Sequence, residues 1–177
     1  ASGLVCLRLE PGLAFGSGSH PTTRLCLQWL AQHIQPGMRV LDFGCGSGVL
    51  GIAAGLLGAS VVAVDHDPQA GMATTENAAY NGLSSANIKV MSLAQWQDYE
   101  AIGEFDVIVA NILAGPLQEL AAAFEAVARP GARIVLSGVL TEQAEQVMSS
   151  YQQTQFVAPV TESGWACLLG TVLQHAD

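Results

Sequence analysis

The sequence predicts an α/β protein: a doubly wound, mostly parallel seven-stranded sheet with helices on both faces and a C-terminal antiparallel hairpin strand. Three observations carry this. Short β-rich runs alternate strictly with helical patterns along most of the chain. The runs are apolar almost without a break, as strands covered on both faces must be. The last two runs follow each other across a short turn with no helix between them, so the final strand pairs antiparallel.

Taken in order, Pro21 to His33 reads as the first helix, with Pro in the first turn and Leu25, Leu27, Trp29, Leu30 and Ile34 supplying the apolar residues. Gln35-Pro36-Gly37 ends it. Strands follow in "RVLDFG" (39–44), "SVVAVD" (60–65), "NIKVMS" (87–92), "FDVIVANI" (105–112) and "ARIVLSG" (132–138). Between them lie helices over Gly48 to Leu57, Pro68 to Asn81 and Pro116 to Ala128, with a weaker one around Leu93 to Ile102. A last helix near Thr141 to Tyr151 precedes the strand pair "FVAPVTES" and "WACLLGTVL".

The 177 residues make one domain, and 50% apolar with 12% charged residues excludes a disordered chain. No uninterrupted apolar stretch approaches the roughly 20 residues of a membrane span, and Ala1 to Glu10 lacks a signal-peptide pattern. A soluble, cytoplasmic protein is expected. Cys6, Cys26, Cys45 and Cys167 show neither paired nor metal-type spacing and read as reduced thiols. His20, His33, His66 and His175 form no ligand pair at helical spacing, so no metal site is indicated. A formal charge of −9 with six Lys and Arg argues against a nucleic-acid partner, which demands clustered cations. The same charge favours a basic protein or cationic small molecule, or simply maintains solubility.

"VLDFGCGSGVLGIAA" is the strongest local signal. A strand ends at Gly44, a glycine-dense turn follows, and a helix begins near Gly48, which aims backbone N–H groups out of the sheet's carboxyl edge. Gly46, Gly48 and Gly51 satisfy G-x-G-x-x-G, with Asp65 near the expected ~20 residues downstream, so a nicotinamide oxidoreductase is the first rival. Asp65 ends the second strand, where a carboxylate can accept from both hydroxyls of a bare ribose. Asp67, before Pro68, suits the helix cap better and leaves Asp65 to that task. Two residues shift the reading from a dinucleotide to a sulfonium cofactor. Asp42 stands two places before the first glycine, where it can orient the turn or meet a cationic amino group but would repel a pyrophosphate. Asn111 presents an amide at the same sheet edge, although an Asn there is also an ordinary turn former.

With "PGLAFGSGSHPTT", "LDFGCGSG", "DHDP" and "VANILAGPL" in that order, the chain resembles the class I S-adenosylmethionine-dependent methyltransferases. More narrowly, it resembles the catalytic domain of the bacterial ribosomal protein L11 methyltransferase family, from about Leu9 to Val172. The resemblance implies that Thr23, Gly44, Asp65 and Asn111 hold S-adenosyl-L-methionine, with Asp42 and Gly46 of the turn beside them. It also implies methyl transfer to lysine side chains or an N-terminal amine of a ribosomal protein, with large-subunit protein L11 the expected partner. No general base is evident, so desolvation of the amine is expected, with Asn111 as the catalytic residue that orients its lone pair together with nearby backbone carbonyls. The loop "LAFGSGSH" is then a cover for the methionine end rather than a linker. Ser17, Ser19 and His66 depart from the usual family residues, and "VMSLAQW" occupies the adenine-facing place without a telling acid. The family's N-terminal substrate-recognition domain has no counterpart in these residues, so 1–177 reads as a single cofactor-binding domain that would methylate the ribosomal protein poorly. A nucleic-acid base methyltransferase is weakened by the acidic charge and by "NILA" in place of an Asn-Pro-Pro-aromatic segment. A non-catalytic cofactor-binding module remains a third alternative.

Overall fold

The computed structural model describes residues 4–10 and 18–173. Pro21–His33 (α1) precedes Arg39–Phe43 (β1), Val49–Leu56 (α2), Ser60–Asp65 (β2), Pro68–Tyr80 (α3) and Ile88–Ser92 (β3). Leu93–Gln97 (α4), Phe105–Asn111 (β4), Ala114–Glu119 (α5), Ala121–Val127 (α6) and Ala128–Leu140 (β5) follow. After a 3-10 turn at Thr141–Gln143 come Ala144–Ser149 (α7), Thr154–Phe156 (β6), Val160–Glu162 (β7) and Trp165–Val172 (β8).

The sheet order is β3-β2-β1-β4-β5-β8-β6, with β7 also on β8. The first five are parallel, and β8 runs antiparallel to β5. Eight strands thus fill the seven predicted positions, because β6 and β7 pair with opposite ends of β8 and share the outer edge. Three helix expectations shorten. The run 116–128 divides at Leu120, and its last residue, Ala128, begins β5. The stretch from Leu93 is helical only to Gln97, and the one from Thr141 opens as a 3-10 turn.

Strand alternation sorts the core into two layers. Val40, Val107 and Val109 pack with Leu30 of α1, Ile52 of α2 and Ala78 of α3 on one face. Leu41, Ile108 and Ala110 pack with Leu117 of α5, Phe124 of α6 and Val147 of α7 on the other. Each such Val or Leu contributes roughly 1.5–3 kcal/mol of burial. The chain reverses its direction of growth between β1 and β4, so a crevice opens at their carboxyl ends. Register brings the functional positions to that edge: Phe43 lies opposite Val64 and Ala110, Asp65 opposite Ser92, and Asn111 opposite Ser137.

Candidate functional site

The glycine turn is pinned where it leaves β1. The N–H groups of Gly44 and Cys45 both donate to the Val64 carbonyl, at 2.7 and 3.0 Å. Gly44 has φ +77°, and a Cβ there would overlap the Ile112 side chain, so the position requires glycine on two counts. Asp65 then clasps the turn from β2. Its Oδ2 accepts the Gly46 N–H at 3.0 Å and its Oδ1 accepts the Asp67 N–H at 2.9 Å. Each carboxylate oxygen keeps a further lone pair, so both can still accept a hydroxyl. Asp67 caps α3 by accepting the Gln69 N–H at 2.9 Å, which leaves Asp65 outside the helix.

Asp42 stands back from the crevice. It is 1% exposed, is not part of the crevice lining, and accepts the Gly51 N–H of α2 at 2.9 Å through Oδ2. Of its two expected roles, this placement fits the orienting one, exerted through the helix that follows the turn, and not a place in the crevice wall. Alternation explains this: Asp42 shares the strand face of Val40 and points beneath α2. Burial pushes its carboxyl up to about 7, partly opposed by the Gly51 hydrogen bond and reinforced by the Asp65 charge.

The opposite rim is made from distant segments. Asn111, the last residue of β4, donates through Nδ2 to Thr23 Oγ1 at 3.2 Å and to Thr22 Oγ1 at 3.4 Å. Both threonines are buried in the first turn of α1. His20 caps that helix: its Nδ1 accepts the Thr22 N–H at 3.3 Å and lies 2.8 Å from Thr22 Oγ1. Its ring meets Trp165 edge-on at 5.2 Å. Buried Ser137 of β5 donates to the Thr22 carbonyl at 2.9 Å. Gly138, at φ +84°, lets the chain after Asn111 pass so close that a Cβ would overlap the Ile112 carbonyl oxygen. Sequence reasoning passed over Thr22, Ser137 and Gly138 as site elements. The only trace was the Ser-Gly pair ending the "ARIVLSG" run, which reads equally well as an ordinary strand end.

Between the rims lies a cavity of about 170 Å³ lined by Thr23, Gly44, Gly46, Asp65 and Asn111, with Cys45, Val49, Leu50, His66 and Ile112. Five of the six expected site residues therefore converge, and Asp42 is the exception. Asp65 and His66 also belong to an adjoining groove of about 410 Å³, walled by Pro68, Met72, Val90, Met91, Ser92 and Gln95 among others. His66 is an outer wall, with an 85% exposed side chain 3.4 Å from Asp65. Of the expected covering loop, residues 13–17, including Ser17, lie outside the described residues; Gly18 to His20 lead into α1. Cys26, Cys45 and Cys167 are buried free thiols and Cys6 is exposed. No helix among the described residues is long and apolar enough to cross a membrane.

A parallel sheet with an antiparallel end, and a crevice at the β1–β4 switch, match the class I methyltransferase fold. Residues 1–172 match the family of ribosomal protein L11 methyltransferases (PrmA), and the chain belongs to that family. It is 50% identical over 171 residues to the ribosomal protein L11 methyltransferase of Ralstonia pickettii, covering 94% of this chain and 54% of that protein. It is 53% identical over 169 residues to that of Methylococcus capsulatus, covering 94% and 56%. The chain thus spans about half the length of these curated relatives. The crystal structure of a ribosomal protein L11 methylase from Lactobacillus delbrueckii subsp. bulgaricus superposes with a TM-score of 0.84 at 33% identity, covering 95% of this chain and 86% of that one. An RNA methyltransferase from Salinibacter ruber, in complex with S-adenosyl-L-homocysteine, shares the fold at a TM-score of 0.69 and 18% identity, covering 89% and 97%. Family membership sets aside the nicotinamide reading of the glycine pattern.

Proposed function

We propose that this chain binds S-adenosyl-L-methionine along the two adjoining cavities and transfers its methyl group to amino groups of ribosomal protein L11. The observation that carries the reading is the convergence of Thr23, Gly44, Gly46, Asp65 and Asn111 on one crevice at the sheet switch. The donor set fits the cofactor. Asp65 offers acceptors to a ribose, Val90 and Met91 offer an apolar wall to a base, and Thr23 with Asn111 offers polar groups at the far end. The absence of any cation among these residues disfavours a pyrophosphate in the same place.

When bound, S-adenosyl-L-methionine supplies an electrophilic methyl group on a sulfonium sulfur. The protein must then orient and desolvate the amine. A lysine of pKa ~10.4 gives up its proton at pH 7 at a cost of roughly 4 to 5 kcal/mol. An apolar enclosure from Val49, Leu50 and Ile112 lowers that cost by disfavouring the ammonium form. The Asn111 amide donates to both threonines, which turns its Oδ1 into the atom that accepts from an incoming N–H. Catalysis by this chain is accordingly positional, with Asn111 as the catalytic residue.

The test compares ligands first. S-adenosylhomocysteine at about 100 times its Kd should stabilise the protein by about 2.7 kcal/mol, and NADH should leave the melting temperature unchanged. Mass spectrometry of a ribosomal-protein mixture incubated with isotopically labelled cofactor and a high concentration of the protein should then show slow labelling, with the methyl groups on amines of L11. Stabilisation by NADH alone would overturn the cofactor assignment, and labelled methyl groups on other proteins of the mixture but not on L11 would overturn the substrate.

A further inference from the structure

Helix α3 presents Thr74, Asn77 and Asn81 along one side, at spacings of three and four residues. The first two hold successive carbonyls of the glycine turn. Thr74 Oγ1 donates to Gly46 O at 3.0 Å, and Asn77 Nδ2 donates to Ser47 O at 2.9 Å. The other end of the Asn77 amide looks away from the turn, where Oδ1 accepts the backbone N–H of Glu10 at 3.1 Å. One turn further along α3, Asn81 brackets Arg8: Oδ1 accepts its N–H at 2.8 Å, and Nδ2 donates to its carbonyl at 2.6 Å. Nδ2 of Asn81 also donates to the Asn77 carbonyl, joining the two.

Residues 8–10 belong to no strand or helix, so side-chain amides do for them what a ladder does within a sheet. Asn77 is 5% exposed and uses both ends of its amide on backbone groups 30 and 67 residues away in sequence. Removing it would take the Asn77 hydrogen bond from the Ser47 carbonyl of the cofactor turn and release the extended segment in one step. A side chain needed only to pack α3 on the sheet would carry no such pair of bonds; the small, buried Ala70 and Ala78 already do that.

We propose that Asn77 is a positioning residue for the cofactor turn, and the joint through which segment 8–10 is coupled to it. The inference rests on the cofactor assignment above, and the experiment separates the two. Three variants split the functions: Asn77→Ala removes both bonds, Asn77→Asp keeps the acceptor for Glu10 but loses the donor to Ser47, and Asn81→Ala frees Arg8 and the Asn77 carbonyl but leaves both bonds of the Asn77 side chain in place. S-adenosylhomocysteine affinity is measured by calorimetry, amide hydrogen exchange by NMR, and folding of each variant by its thermal transition.

Asn77→Ala and Asn77→Asp should each raise the Kd about tenfold, equivalent to about 1.4 kcal/mol. Asn81→Ala should change it by less than about twofold, because neither its side chain nor its partners, Arg8 and the Asn77 carbonyl, touch the glycine turn. The Glu10 amide should exchange faster in Asn77→Ala but remain protected in Asn77→Asp, and the Arg8 amide should exchange faster in Asn81→Ala. Saturating ligand should slow Glu10 exchange in the unsubstituted protein and leave it unchanged in Asn77→Ala. Unaltered Kd in both Asn77 variants would overturn the proposal, as would ligand-independent Glu10 exchange in the unsubstituted protein. Failure of the unsubstituted protein to bind the ligand would instead overturn the cofactor reading on which the proposal stands.

Discussion

The two rims of the crevice are assembled in different ways, and Ile112 lies between them. On one rim, the Gly44–Gly46 turn and Asp65 meet across 19 residues of one strand-helix-strand unit. On the other, Asn111 reaches Thr23 across 88 residues, and Ser137 reaches Thr22 across 115. Both rims press a glycine against Ile112. At Gly44 the obstacle to a Cβ is the Ile112 side chain, whereas at Gly138 it is the Ile112 backbone carbonyl. The Ile112 side chain can shift by a change of rotamer, whereas its carbonyl, in the chain just past β4, can move only with the backbone. Both positions want glycine, but the far rim is the more rigid of the two, which suits a binding function on one side and a positioning function on the other.

The largest expected effect tests that rigidity. Gly138→Ala combines a left-handed backbone with a backbone overlap, and should cost about 3 kcal/mol. The melting temperature, followed by differential scanning calorimetry, should fall by about 10 °C. Gly44→Ala should cost less, because the Ile112 side chain can yield. Equal losses would erase the distinction between the rims.

Asn111→Ala sharpens the division of labour. Turnover should fall about a hundredfold, or about 2.7 kcal/mol of transition-state stabilisation. Asp65→Asn should instead raise the KM for S-adenosylmethionine with kcat largely retained. Single-turnover kinetics distinguishes the outcomes, and an Asn111 variant with an unimpaired chemical step would deprive the far rim of its catalytic role.

The smallest effect concerns the support beneath the near rim. Folded Asp42 keeps its proton until about pH 7, while an unfolded Asp releases it near 3.8. Its contribution to stability is thus complete below pH 3.8, declines as pH rises toward 7, and is lost above that. Asp42→Asn should flatten this part of the stability profile in urea titrations. Its net gain at pH 7 should be only about 1 kcal/mol, since the new amide N–H₂ needs a partner in a buried place. An unchanged slope between pH 4 and 7 would show that Asp42 is ionised in the folded protein.

Local patterns were legible where one element's own physics decided the outcome. Strands buried on both faces demand largely apolar runs, and the inner parallel strands lie where such runs stand, while β3, at the sheet edge, carries exposed Lys89 and Ser92. Capping chemistry placed Asp67 at the start of α3 and freed Asp65 from it. The break at Leu120 was invisible because Ala121, Ala122 and Ala123 favour helix on any scale of propensity, and Leu117 and Phe124, seven residues apart, fit one face of an unbroken helix equally well. Asp42 shows the limit of such proximity: its place beside the turn left open whether it orients the backbone or meets an amino group, and the two-residue period of β1, which directs it under α2, favours the first.

From sequence alone came the order of strands and helices, the glycine turn, and Asp65 at the end of β2, since each depends on backbone preferences and hydrophobic period within a short window. Tertiary structure alone decided that Thr22, Thr23, Asn111 and Ser137 share one hydrogen-bonded rim, that Gly138 must lack a side chain, and that Asn77 ties residue 10 to residue 47. Hydrogen bonds between segments that far apart carry no local signature. They exist only after the two core layers have closed and set the separations at which those groups meet.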